Sequence, residues 1–182
     1  MFPTPFRVVL DANVLFPFTL RDTLLRAAEA GYYQVNWTSE ILDETTRNLV
    51  DRGLMTNRQA QTLVDAMRRA FPEAEVSGYE TLVPSMANDP KDRHVAAAAV
   101  RCGAQVIVTQ NLKDFRHLPD GIEAQSPSGF LVDLLDLDRE TMLELLREQA
   151  GALCSPPKTL EELLVGLGKT VPNFVTQVRR LL

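Results

Sequence analysis

Cysteine, histidine and positive charge are all scarce in this chain, and each shortage closes off a class of function. Its 182 residues include two cysteines and two histidines. Cys102 and Cys154 lack metal-ligand spacing and are too few for a disulfide scaffold, so both read as packing residues in a reducing compartment. Asp and Glu number 24 against 19 Lys and Arg, giving a net charge of −5 and a pI of about 5.1. That excludes a globally basic nucleic-acid surface, and a polyanion must be met by a local patch. There is no charged-then-apolar leader and no apolar run long enough to cross a bilayer, so the expectation is a cytoplasmic protein without a membrane partner. Internal repeats and low-complexity segments are also missing.

What is present is enough apolar residue, 45% of the chain, for one domain with a core and an added terminal element. The stretch Arg7-Val8-Val9-Leu10-Asp11-Ala12-Asn13-Val14-Leu15 runs from apolar residues into a carboxylate and then a carboxamide. It reads as a buried strand of a parallel sheet ending on an acid. Ligands and catalytic groups collect beyond the carboxyl ends of such strands, and a carboxylate there must be hydrogen-bonded, protonated or paired with a cation. Asp11 equally suits a turn cap, with Asn13 making local backbone bonds.

Asp22 stands before Thr23–Ala30 as an N-cap, with Gly31 as the stop. Tyr32 to Trp37 has strand composition, and the strand, helix, strand order favours an α/β fold. Thr38 or Ser39 caps a helix through Val50. On it Ile41, Leu42, Thr45 and Leu49 share a face, and Glu40, Glu44 and Asn48 border it. A border glutamate is ordinarily solvated, but Glu44 beside a strand ending on Asp11 gives two carboxylates for a hard cation. Asn57 to Phe71 repeats at helical spacing before Pro72. Arg47, Arg52, Arg58, Arg68 and Arg69 read as solvated residues, or else as an edge that tracks phosphates. Residues 73–86 read as a connection.

Asp89-Pro90-Lys91-Asp92 is an N-cap and N1 pair opening an alanine-rich helix that Gly103 closes. Asp92 at N3 suits a capping box or the helix dipole, yet Asp89 already caps, which leaves Asp92 free to point elsewhere. His94 falls on a different face from Asp92 and is assigned a surface or phosphate-contact role, while His117 is assigned none. Ala104–Thr109 is a second buried-type strand, running out into Gln110-Asn111-Leu112-Lys113-Asp114-Phe115. There Thr109 and Asn111 can shape the turn and Asp114 can cap the next segment. Gly121–Gln125 reads as one more short strand. From Ser128 the chain is helical and leucine-rich, with caps at Asp138 and Thr159 and a break at Pro156-Pro157. This gives a division into residues 1–127 and a helical region 128–182, whose apolar stripes act as core cover or as a dimer or partner surface.

If Asp11, Glu44, Asp92 and Asp114 converge, four negative charges share one cleft, which calls for protonation or for Mg2+ or Mn2+. A metal pair about 3.5–4 Å apart supports in-line hydrolysis of a phosphodiester. Asn13, Thr109 and Asn111 would then orient the ligands or the scissile phosphate.

These residues, Val-Val-Leu-Asp11-Ala-Asn13, Glu44, Asp92 before an alanine-rich helix, and Val-Thr109-Gln-Asn111-Leu-Lys-Asp114-Phe, resemble the PIN-domain ribonucleases, in particular VapC-type toxins. The resemblance spans about residues 6 to 126. It implies an α/β/α sandwich around a parallel sheet, magnesium- or manganese-dependent RNA cleavage, and an antitoxin that blocks the site. By motif position Asp11, Glu44, Asp92 and Asp114 correspond to the four family acids, with Asp11, Asp92 and Asp114 as the metal ligands. Asn111 departs from the pattern, because many relatives carry an acid there. The region after residue 127 resembles the C-terminal extension of a VapC subgroup. A phosphatase of the haloacid dehalogenase kind would need its second acid at Asn13, where an amide cannot do acid-base work. The remaining alternative is an inactive PIN-like module that binds RNA or protein without cutting.

Overall fold

A computed structural model describes residues 6–153 and 156–182, so Cys154 lies outside the described residues. Those residues form two compact units. The first holds residues 6–16 and Tyr33–Gln125, and the second holds Pro17–Tyr32 with Ser126–Leu182.

The first unit is built on a four-stranded parallel sheet ordered β2-β1-β3-β4, with β1 Arg7–Leu10, β2 Gln34–Asn36, β3 Val106–Val108 and β4 Glu123–Gln125. Val8, Val9, Leu10, Ile107 and Val108 are all fully buried, as expected for central parallel strands covered on both faces. Val9 pairs with Ile107 and Leu10 with Val108, so β1 and β3 end side by side. Asp11 and Thr109, one residue beyond each, are therefore delivered to the same edge of the sheet.

Asp11 opens a single helical turn, α1 Ala12–Leu15, which packs against α3 Ser39–Asp51. Thr38 starts α3 by accepting the Ile41 N–H at 3.1 Å, and Ile41, Leu42, Thr45 and Leu49 form its buried face as the spacing predicts. Thr56 and Gln59 form a capping box for α4 Asn57–Ala70. Trp37 is fully buried and meets Phe71 edge-on, with ring centroids 5.9 Å apart. Within residues 73–86, Glu75 bridges to Trp37 and Glu80–Ser85 forms a 3-10 turn.

Helix α5 Arg93–Cys102 is buried on more than one face, with Val95 through Ala99 all at 0% exposure. Its alanines let it lie on β1 and β3 while Glu80–Ser85 covers it from elsewhere. Gly103 ends it at φ 69, a left-handed position that costs glycine nothing. The start differs from expectation. Pro90–Asp92 is a separate 3-10 turn in which Asp89 accepts the Lys91 N–H, and Asp92 occupies the N-cap position of α5 without making a cap bond.

The second unit packs α2 Phe18–Glu29 against α7 Arg139–Ala152 and α8 Leu160–Leu167, and α6 Pro127–Leu137 against α9 Pro172–Leu181. Asp22 does not cap α2, contrary to the expectation. The helix begins at Phe18 after Pro17, and Asp22 instead pairs with Arg26 one turn on, at 3.2 Å. Ser126, Asp138 and Thr159 cap α6, α7 and α8. Phe174, Val178 and Leu164 are fully buried within these helices. No helix among the described residues is long and apolar enough to cross a membrane.

Candidate active site

Asp11 is 4% exposed, so its charge must be met locally. Its Oδ1 accepts the Ala12 N–H at 2.7 Å, and its Oδ2 accepts Asn13 Nδ2 and the Thr109 hydroxyl, each at 2.8 Å. Asn13 Nδ2 also donates to Thr109 Oγ1 at 3.0 Å, while Asn13 Oδ1 accepts the Gln110 N–H at 3.0 Å. That pair of contacts requires an amide: an aspartate at position 13 would set two carboxylates against each other. Asn111 is exposed and enters the network through its backbone, donating its N–H to Thr109 Oγ1 at 3.0 Å. Asn13 and Thr109 thus tie the ends of β1 and β3 together around one carboxylate.

The donors do not fully offset burial. Desolvation pushes the Asp11 carboxyl above its ordinary range, the Thr109 and Ala12 bonds pull it back, and the Glu44 charge pushes it up again. Glu44 sits half-buried on α3, close enough for that repulsion to register. Asp92 feels the same crowding. Burial first, and then the charges of Asp11 and Asp114, push it up to about 6. Asp92 Oδ2 is buried without a hydrogen bond. Asp114 is also buried, and its main-chain carbonyl accepts the Asp89 N–H at 3.0 Å, which fastens the turn after β3 to the turn before α5. The four acids singled out in the sequence therefore stand in one electrostatically linked group, with Asp11 coupled to Glu44 and Asp92, and Asp92 to Asp114.

Two further residues belong to this neighbourhood. Lys91 brings its ammonium to 3.1 Å from Asp114 Oδ2 and 4.0 Å from Asp92 Oδ2. In the sequence it is one more lysine in a polar turn, and only its place between two acids marks it. His94 is 8% exposed, so the surface role expected for it does not hold. Its Nδ1 lies 3.7 Å from Glu40 Oε2, which also accepts the Tyr79 hydroxyl at 3.2 Å. The first turn of α5 is buried on that side too, a fact that a two-residue offset from Asp92 does not reveal.

A PIN-domain family model matches residues 7–113, more than half of the chain. The chain belongs to the PIN-domain family. A model of the VapC50 C-terminal domain matches residues 127–180. The Mycobacterium tuberculosis (strain H37Rv) protein named "Putative ribonuclease VapC50" is 46% identical over 110 residues, which span 57% of this chain and 63% of that protein. The chain thus aligns with less than two thirds of that relative's length. No solved structure matches it. At the sheet edge, one strand leads into Asp11 and its neighbour into Thr109, with Asp114 in the turn beyond.

Divalent-ion chemistry suits the donor set of this PIN domain. Its side chains offer hard oxygens, and Asp92 keeps a buried carboxylate oxygen that no donor satisfies. Among the described residues no three His, Cys, Asp or Glu side chains form a ready cage. Magnesium needs none, since it keeps several waters and is held by one or two carboxylates together with substrate phosphates.

Proposed function

We propose that this protein is a magnesium- or manganese-dependent endoribonuclease, the toxin of a type II toxin–antitoxin pair, acting in the cytoplasm. The observation that carries the reading is the linked set of acids at the ends of β1 and β3, with Asp92 held up to about 6 by burial and its acidic neighbours. Such crowding raises the energy of the metal-free site and is relieved by a divalent cation. Asp11, Asp92 and Asp114 would hold the ion, directly or through the waters it keeps, and Glu44 would stand beside them at the edge of α3. A bound ion supplies charge to polarise the phosphodiester and to lower the pKa of an attacking water.

The residues of the chain divide the remaining work. Asn13 and Thr109 fix the orientation of Asp11, so the carboxylate needs no rearrangement when charge develops on the phosphate. Asn111 reaches this network through its N–H and adds no carboxylate of its own. The proposed substrate is RNA and the proposed partner is a cognate antitoxin. Self-association through the apolar side chains exposed on the C-terminal helices, Leu137 and Val165 among them, is a further expectation.

The relative's name, a ribonuclease, supports the nuclease reading over a module that binds without cutting. Turnover and binding measured separately decide between them. Asp11→Asn is expected to abolish manganese-dependent cleavage while RNA binding persists, in protein whose fold is verified by circular dichroism. Wild-type protein that binds RNA and never cuts it would favour the binding module.

A further inference from the structure

Lys91 is the charged residue of this site that the four-acid pattern leaves unexplained. Its backbone is pinned, because the N–H donates to Asp89 Oδ1 at 3.2 Å. Its side chain is 64% exposed, yet the ammonium turns inward to two carboxylates that are 15% and 10% exposed. An exposed lysine has many solvated rotamers, and an ordinary surface ion pair returns little for giving them up. Here one ammonium serves two crowded acids, and the oxygen it faces on each is buried, with no other partner to satisfy it. The adjacent cation is engaged elsewhere, since Arg93 Nε donates to the Asn88 carbonyl at 3.1 Å. Lys91 is accordingly the cation placed between Asp92 and Asp114.

We propose that Lys91 is an exchangeable counter-cation of the cleavage reaction. It neutralises Asp92 and Asp114 in the metal-free chain, yields them when a divalent ion is bound, and then contacts a non-bridging oxygen of the scissile phosphate. The inference rests on the proposal that these acids hold a divalent ion. A divalent cation on Asp114 competes with the Lys91 ammonium for that carboxylate, and the repulsion between the two positive centres favours release of the lysine. Its pinned backbone keeps the released ammonium at the mouth of the site. There a polyanion must approach a protein of net charge −5, and a lysine acts on phosphate as a mobile point charge.

The test is manganese titrated by calorimetry into the metal-free full chain, for wild type, Lys91→Met, Lys91→Arg and Asp92→Asn, followed by RNA cleavage at saturating manganese. Lys91→Met is expected to bind manganese roughly two- to five-fold more tightly, since the internal competitor is gone. Its kcat is expected to fall on the order of ten-fold or more. Lys91→Arg keeps the charge and should restore both values toward wild type. Unchanged or weaker manganese binding by Lys91→Met overturns the inference, and so does an unchanged kcat. Absence of manganese binding by wild type defeats the divalent-ion reading itself. Binding that is lost in Asp92→Asn but indifferent to Lys91 leaves that reading standing and defeats this one alone.

Discussion

The two units treat buried polar groups in opposite ways. In the helical unit Gln149 is 1% exposed, and both ends of its amide are used: Oε1 accepts the Thr23 hydroxyl at 2.8 Å and Nε2 donates to the Thr19 carbonyl at 3.1 Å. In the sheet unit Asp92 Oδ2, His94 Nδ1 and both polar side-chain atoms of Asn88 are buried without a hydrogen bond. Among the described residues every such buried atom belongs to the sheet unit. An unsatisfied buried polar atom costs roughly 1–3 kcal/mol. The helical unit satisfies its buried side chains, and the sheet unit leaves several unsatisfied, oxygens of Asp92 and Asp114 among them, as a site prepared for a charged ligand would.

The largest expected effect on this contrast comes from the helical side. Phe174→Ala empties a fully buried position and should destabilise the protein by about 3–5 kcal/mol in urea unfolding. On the sheet side, Thr109→Val removes the hydroxyl that serves Asp11, Asn13 and Asn111. Cleavage should drop roughly 10- to 100-fold, the usual scale for residues that orient metal ligands, with circular dichroism verifying the fold. Gln149→Leu should destabilise by about 1–3 kcal/mol, because it removes the two buried hydrogen bonds of the amide, to the Thr23 hydroxyl and the Thr19 carbonyl, and should leave manganese affinity unchanged. Equal losses of metal binding from Gln149→Leu and Thr109→Val would break the contrast.

The smallest effect has the opposite sign. Asp92 has an ordinary value of 3.8 and is pushed up to about 6 in the folded chain. The folded state therefore holds the extra proton between these values, and its stability declines as pH rises through that window. Asp92→Asn removes this penalty. It should stabilise metal-free protein at pH 7 to 8 by on the order of 1 kcal/mol after allowance for solvent screening, and by nothing near pH 4. Thermal unfolding at the two pH values checks both the sign and the window.

Much of this contrast is legible in the sequence, though unevenly. The strand runs before Asp11 and Thr109 are short, apolar and bounded by polar residues, so period and composition agree, and the caps at Thr38, Asp138 and Thr159 stand where hydroxyl and carboxylate side chains precede apolar periodicity. The start of α2 is hidden because Pro17 reads as a breaker, while Asp22 has the chemistry of a cap and serves in an ion pair instead. Residues 80–85 show no helical period because a 3-10 turn containing Pro84 has none to show. His94 and Lys91 escape a reading of the sequence for a shared reason. Their surroundings are set by long-range packing of the turns after β3 and before α5, which local spacing does not encode. Asp11, for its part, satisfies both readings open to it, since the carboxylate that caps α1 is the one the acids gather around.

The most direct test of the central claim, that the unsatisfied acids of the sheet unit exist to hold a divalent ion, is calorimetric titration of manganese into metal-free wild type and into a folded Asp92→Asn variant. The account predicts saturable binding by wild type that EDTA reverses and that Asp92→Asn loses. Equal binding by the two proteins, or none by wild type, would contradict it.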